Sequence, residues 1–203
     1  MRPIISIIFF AALASTAAAQ TEQFNKPDAA ALINADFIAQ TRKWLNTDIV
    51  DISIGAQNKR YTDISQADID ALDKQWRAER EAQDQPLIAA TLSNPLSVYL
   101  SRIQARSLGL YPEIFVMDVK GLNVGQSSIT SDYWQGDEDK YQKTFAVAKD
   151  AIFIDEPEWD DDLKIWRVQL NMTLTDPSGA NAIGAATVEV NLTELQRRKP
   201  FGS

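Results

Sequence analysis

The sequence contains no cysteine and no histidine among its 203 residues. Without cysteine there are no disulfides, so burial of apolar side chains must stabilise the fold. Catalysis by Ser–His or Cys–His pairs is excluded, and the commonest metal ligand is missing. The chain also lacks a P-loop, a dinucleotide-binding glycine pattern and a zinc motif. We therefore predict that the protein is not an enzyme and that it needs no cofactor and no metal.

Positive charge is also scarce. The chain has 20 Lys and Arg against 28 Asp and Glu, a formal charge of −8, and no clustered basic stripe. This balance repels phosphate backbones and excludes nucleic acid as an expected partner. A pair of carboxylates could still hydrolyse a glycoside, and this is the enzymatic alternative. The acidic residues cluster in predicted turns and helix starts, however, which indicates that they are solvated surface groups. The acidic run 155–162 has the wrong spacing for a calcium loop and indicates a hairpin tip.

The N-terminus has the order of a secretory signal peptide. Arg2 precedes an apolar run over residues 4–14 and small residues that end at Ala19. The run is shorter than the roughly 20 residues of a membrane-spanning helix. We therefore predict cleavage near Ala19, a signal peptide over 1–19, one domain over 20–203, periplasmic localisation and no membrane span after cleavage. A membrane anchor that stays attached is the less favoured alternative.

Three helices are predicted before residue 110. Apolar residues recur at spacings of three, four and seven over residues 29–52, which predicts one long N-terminal helix. Ser65 is the predicted N-cap of a second helix. Asn94, followed by a proline at the first helical position, begins a third helix that ends near Gly109.

The pattern then alternates, which predicts strands. They span 113–119, 122–128, 151–155, 164–175 and 182–192, with a turn over 156–163. Residues 131–149 are predicted to form a loop and a short helix, with Tyr141, Phe145 and Val147 pointing inward. The fold class is therefore α+β, with the long N-terminal helix and further helices packed on an antiparallel sheet of about five strands.

This order of features resembles a known class of domain. The relevant segments are the turn at 118–121, Ser127 to Trp134, the turn at 176–179, Ile183-Gly184-Ala185, and Asn191-Leu192 with Leu195. Together they resemble PDC or Cache domains, which are PAS-like extracytoplasmic sensor domains that bind small molecules. The resemblance implies a PAS-like sheet, a role in sensing or signalling, and a homodimer formed through the N-terminal helix.

Two departures from that class limit the expectation. The chain ends at residues 197–203 without a second membrane helix, so we expect a free-standing binding module that does not signal across a membrane by itself. The amino-acid-binding members carry an arginine just before their aromatic residues. Here that stretch is Ser131-Asp132-Tyr133-Trp134, so an amino-acid ligand is not expected.

The resemblance places a ligand between the sheet and residues 129–141. Tyr133 and Trp134 offer ring faces, and the charges that would orient a ligand are Asp132, Asp137 and Lys140. Arg167 is the best carboxylate partner on the polar sheet face if that face is buried. Structural alternatives remain for these residues. Trp134 and Tyr141 would close the core, residues 137–139 would be a solvated helix start, and Arg167, Gln169 and Glu189 would face water.

Two functions are consistent with these features. The first is an exported, soluble Cache-like domain that binds a small polar organic ligand for sensing or signalling. The alternative is a periplasmic adaptor that binds a membrane kinase or transporter without a small ligand. An open cavity with convergent polar groups favours the first, and a cavity filled by large side chains favours the second.

Overall fold

The computed structural model describes residues 26–198. The predicted signal peptide over 1–19 lies outside them. The helices are α1 (Ala29–Leu32), α2 (Ala35–Leu45), α3 (Asp48–Arg60), α4 (Gln66–Arg80), α5 (Pro86–Ser93), α6 (Pro95–Arg106), α7 (Asp139–Gln142) and α8 (Leu192–Arg198). The strands are β1 (Ile114–Met117), β2 (Asn123–Gln126), β3 (Ile152–Ile154), β4 (Glu158–Asp160), β5 (Ile165–Thr175) and β6 (Ala182–Asn191). The predicted α+β class is confirmed.

The segment predicted as one N-terminal helix, residues 29–52, is helical in three pieces. Asn34 begins α2, and its side-chain oxygen accepts a hydrogen bond from the Phe37 amide at 3.0 Å. Asn46 ends α2, and Thr47 precedes α3. Asparagine competes with the helical backbone for hydrogen bonds, and it is therefore favoured at helix ends over helix interiors. The apolar spacing continued across these breaks and concealed them.

The other two predicted helix starts are confirmed. The Ser65 hydroxyl accepts a hydrogen bond from the Asp68 amide at 3.2 Å, at the N-terminus of α4. The Asn94 side chain accepts from the Ser97 amide at 2.8 Å, at the N-terminus of α6. Helix α5 was not predicted, although Pro86 at its first position is a typical helix start.

The strands form one antiparallel sheet in the order β2-β1-β6-β5-β3, and β4 also pairs with β5. The predicted hairpins β1–β2 and β5–β6 are present. The prediction of a simple turn over 156–163 was wrong, because β4 lies there and pairs Glu158 with Arg167. A three-residue strand is too short to show alternation in the sequence.

The two faces of the sheet have different neighbours. One face packs against α1, α2, α3, α6 and α8, and its buried residues include Ile114, Val116, Leu170, Met172, Val188 and Val190. We call the opposite face the cleft face. Its side chains alternate with those of the core and include Glu113, Phe115, Arg167, Gln169, Thr187 and Glu189. The alternation predicted for β5 is confirmed.

Helix α7 and the residues after it cover part of the cleft face. The rings of Tyr141 and Phe145 stack at a centroid distance of 5.3 Å and pack with Phe115 and Met117. Their predicted inward orientation is confirmed, but that of Val147 was wrong, because its side chain is 68% exposed. Between residues 26 and 198, no helix is both long enough and apolar enough to cross a membrane.

Candidate functional site

The cleft face bounds a cavity of about 350 Å³, which we call the sheet cleft. Its lining residues come from β1, β5, β6, α7 and the segment after β2: Glu113, Phe115, Ile129, Thr130, Ser131, Gln135, Lys140, Arg167, Gln169 and Glu189. A second opening of about 230 Å³ shares Lys140, Arg167, Gln169 and Glu189 with it and extends toward β4. The polar side of the sheet is therefore accessible beside α7.

Residues 127–138 form one wall of the sheet cleft, and we call them the wall segment. Its backbone is anchored by α4. The Asp73 carboxylate accepts hydrogen bonds from the amides of Tyr133 and Trp134 at 2.9 and 3.1 Å. The Trp76 indole donates to the Thr130 carbonyl at 3.0 Å. Because Asp73 and Trp76 are both buried, these contacts connect the wall to the core.

Strand β2 holds the same wall from the other side. The fully buried Asn123 amide donates to the Thr130 hydroxyl at 2.9 Å and to the Asp132 carbonyl at 3.1 Å. The Asn123 backbone amide also donates to the Tyr133 carbonyl at 2.9 Å. The wall segment is therefore fixed by protein groups on two sides, and residues near its start, such as Thr130 and Ser131, are presented to the cleft.

Each cation in the sheet cleft is paired with a carboxylate. Arg167 lies 2.8 Å from Glu189 and 3.7 Å from Asp160. Lys140 lies 2.7 Å from Glu138, and its ammonium group is 5.5 Å from the centroid of the Phe115 ring. These contacts hold both cationic head groups at the cleft, where their remaining hydrogen-bond donors can contact a ligand.

Two glutamates lie side by side on the floor of the cleft. The Glu189 amide donates to the Glu113 carbonyl at 2.8 Å, which continues the β1–β6 ladder and places both side chains on the cleft face. Burial, with the neighbouring Glu189 charge, raises the pKa of Glu113 to about 7. Burial also raises the pKa of Glu189, and the adjacent Arg167 opposes that shift.

The structure divides the six predicted site residues among three places. Lys140 and Arg167 both line the sheet cleft. Asp132, Trp134 and Asp137 line a separate groove of about 230 Å³ beside α4, where Asp132 lies 3.5 Å from Arg77. Tyr133 is buried in a second core, where its ring stacks on Trp76 at a centroid distance of 5.3 Å. Ligand binding by these six residues remains a prediction.

The polar residues of β5 and β6 are less exposed than the water-facing alternative implies. Glu189 is 7% exposed, and Arg167 and Gln169 are half-buried. The sequence did not identify Glu113 or Phe115 as cleft residues. Phe115 lies on β1 and Glu113 directly before it, both on the cleft face, but the neighbour of β1 in the sheet cannot be read from the sequence. Within residues 26–198, no group of three or more acidic side chains is arranged to hold a metal ion.

No protein-family model matches the chain, and no curated protein matches it. Solved structures do resemble it. The sensory domain of the Campylobacter jejuni chemoreceptor Tlp3 is 15% identical with a TM-score of 0.39, and the match covers 80% of this chain and 65% of that one. For the extracellular domain of the histidine kinase vpHK1S-Z8, the identity is 11%, the TM-score 0.43, and the coverage 82% and 54%.

A third similar structure is the ligand-binding domain of the Pseudomonas aeruginosa PAO1 amino-acid chemoreceptor PctC in complex with GABA. It is 14% identical, with a TM-score of 0.32 and coverage of 72% and 61%. The chain thus spans less than two thirds of each of these structures. Two of these structures come from chemoreceptors and one from a histidine kinase. At this level of similarity, they identify neither a ligand nor the residues that would bind one.

Proposed function

We propose that the protein binds a small polar organic ligand in the sheet cleft and acts as a sensory domain of the PDC/Cache kind. The observation that carries the proposal is the convergence of polar side chains on one cavity. Glu113 precedes β1, Lys140 lies on α7, and Arg167, Gln169 and Glu189 lie on β5 and β6. A cavity with convergent polar groups is the usual form of a small-molecule site.

The size of the sheet cleft supports the same function. Its volume of about 350 Å³ lies within the range of about 300 to 1,000 Å³ that is typical of ligand pockets. Ile129, whose side chain is exposed, supplies an apolar surface at the wall of the cleft, and charged groups also line the cavity. This combination suits a compact molecule with at least one charged group and a short apolar portion.

The remaining parts of the proposal concern the setting of the domain. We propose that the protein is exported to the periplasm and that it signals through a membrane receptor or kinase. We also propose that it binds its ligand without turnover. A homodimer formed through the N-terminal helices is included as well. The support for export is the order of residues at the N-terminus, Arg2 followed by an apolar run and small residues.

Thermal-shift screening of the purified protein tests the binding function. The panel contains carboxylates, amines, amino acids and nucleobases. A ligand that binds only the folded state stabilises it by about 2.7 kcal/mol at 100 times its dissociation constant, which corresponds to roughly 5 to 10 °C for a domain of this size. No shift with any compound would contradict the proposal.

A matched pair of variants locates the site. Ser131→Trp places an indole at the wall of the sheet cleft, and Ser178→Trp places the same group in the exposed turn between β5 and β6. We expect the ligand to stabilise the wild type and Ser178→Trp but not Ser131→Trp. Equal stabilisation of both variants would place the binding site elsewhere.

A further inference from the structure

Glu113 differs from the other acids in the sheet cleft because it has no paired cation. Glu189 is paired with Arg167 at 2.8 Å and Glu138 with Lys140 at 2.7 Å. Among residues 26–198, no ion pair involves Glu113, and its carboxylate accepts one side-chain hydrogen bond, from the Ser128 hydroxyl at 3.1 Å. A partly buried carboxylate with so few partners is stabilised by a proton or by a cation.

The groups around Glu113 do not supply that cation. Lys140 on α7 and Arg167 on β5 both favour its ionised form, but burial and the charge of Glu189 on β6 are the larger effects on its pKa. Arg167 is also shared with Asp160 and Glu158 on β4, at 3.7 and 4.0 Å. Because the two cations are already bound to other acids, Glu113 remains uncompensated.

We propose that the sheet cleft recognises an organic cation, whose ammonium or guanidinium group is held by the Glu113 carboxylate. A cation at this position forms a charge-assisted hydrogen bond, which is stronger than a neutral one. It also neutralises the excess of carboxylates around the cavity, where Glu113 and Glu189 on the floor are joined by Glu138 and Glu158 at the adjoining opening. The inference rests on the proposed function and specifies the class of ligand.

The first test compares compounds that share a short alkyl chain and differ in the charge of their head group. Butylamine and butylguanidine are the cationic probes, butanol the neutral one and butyrate the anionic one. Binding is followed by thermal shift and by NMR titration of the protein at up to about 10 mM, since small compounds of this kind bind weakly. We expect binding of the two cations and little binding of butanol or butyrate.

The outcomes separate the inference from the proposed function. Binding of butyrate or butanol without binding of the cations would overturn the inference and leave a small-molecule site in place. Failure of both cations, together with binding of another class from the wider screening panel, would do the same. Failure of every compound in both panels would overturn the inference and the proposed function together.

The second test removes the carboxylate. Glu113→Gln keeps the size and the Ser128 contact but not the charge, and we expect it to weaken binding of the cationic probes by about tenfold or more. Glu81→Gln is the control, because Glu81 is an exposed carboxylate at the end of α4. Unchanged affinity in Glu113→Gln would contradict the inference.

The third test uses the wild type alone and does not depend on the folding of a variant. The two cationic probes stay protonated between pH 5 and 8, whereas Glu113, with a pKa of about 7, loses its proton in this range. We expect the affinity for butylamine to rise with pH, by up to about tenfold per unit below the pKa, and then to level off. Affinity that is independent of pH would overturn the inference.

Discussion

The carboxylate of Asp73 holds the backbone amide of Tyr133, 60 residues further along the chain, at a distance of 2.9 Å. Asp73 is 5% exposed, and Arg77, one turn later on α4, lies 2.5 Å from its other oxygen. Helix α4 therefore fixes the position of the wall segment. The sheet cleft depends in this way on a helix that does not line it.

Replacement of Asp73 by alanine should destabilise the fold. The change leaves the amides of Tyr133 and Trp134 without their acceptor and removes the partner of Arg77. We expect a loss of about 2 to 3 kcal/mol in the free energy of unfolding, measured by chemical denaturation. Asp70→Ala is the control, because Asp70 is exposed on the same helix, and its effect should be within about 0.5 kcal/mol. Equal effects of the two variants would contradict this role of Asp73.

Two glycine-to-alanine changes should have opposite effects. A Cβ at Gly184, on β6, would collide with the backbone carbonyl of Met117 on β1. A Cβ at Gly55, within α3, would meet no atom within 4 Å. We expect Gly184→Ala to destabilise the protein by about 1 to 3 kcal/mol or more. Gly55→Ala should stabilise it by about 0.5 to 1 kcal/mol. Thermal unfolding of both variants measures these effects. If Gly184→Ala were as stable as the wild type, the backbones of β1 and β6 could not approach each other as closely at this position as the structure shows.

The stability of the protein should depend on the ionisation of Glu113. Its pKa is about 7 in the folded state against an ordinary value of 4.5, so the folded state holds this proton more tightly than the unfolded chain does. The contribution of Glu113 to stability is therefore complete below pH 4.5 and is lost as the pH rises through 7. The variant Glu113→Gln has no carboxylate at this position, so its stability should not show this decrease with rising pH.

The measurement is the difference in unfolding free energy between Glu113→Gln and the wild type at several pH values. Between pH 5 and 7 this difference should shift in favour of the variant by about 1 kcal/mol per pH unit. Other titrating groups largely cancel in the comparison. A difference that stays constant over this window would contradict the raised pKa.

The ion pair between Arg167 and Glu189 should show coupling in a double-mutant cycle. Arg167→Gln leaves the buried Glu189 carboxylate without its cation at 2.8 Å. Since Arg167 itself is partly exposed, we expect a loss of about 1 to 3 kcal/mol, below the cost of breaking a fully buried pair. The double variant Arg167→Gln/Glu189→Gln should recover part of this loss, because it contains neither charge. Additive effects in chemical denaturation would show that the two groups do not interact.

Much of the fold follows from local patterns in the sequence. Ser65 and Asn94 mark the helix starts because their side chains can accept the free amides of a first turn. The alternation over β5 gives the strand and its buried face, because successive side chains point to opposite sides. These features depend on neighbours in sequence, and they could be predicted without knowledge of the tertiary structure.

The candidate site could be predicted only in part, because it depends on contacts between distant elements. Lys140 and Arg167 were predicted as site residues from the family resemblance and from their charge, and both line the sheet cleft. The pairing of Glu113 with Glu189 depends on β6 lying beside β1, which no local pattern records. Tyr133 and Trp134 are adjacent aromatic residues in the sequence, yet Tyr133 lies in the second core, where its amide is held by Asp73 and its ring stacks on Trp76.

The anchoring of the wall segment has a consequence for the kinetics of binding. Asp73, Trp76 and Asn123 hold this wall through hydrogen bonds that involve protein groups alone. A site preorganised in this manner loses little conformational entropy when it binds a ligand. Association should accordingly occur in one step, at a rate proportional to ligand concentration, and differences in affinity between related ligands should reside in their dissociation rates.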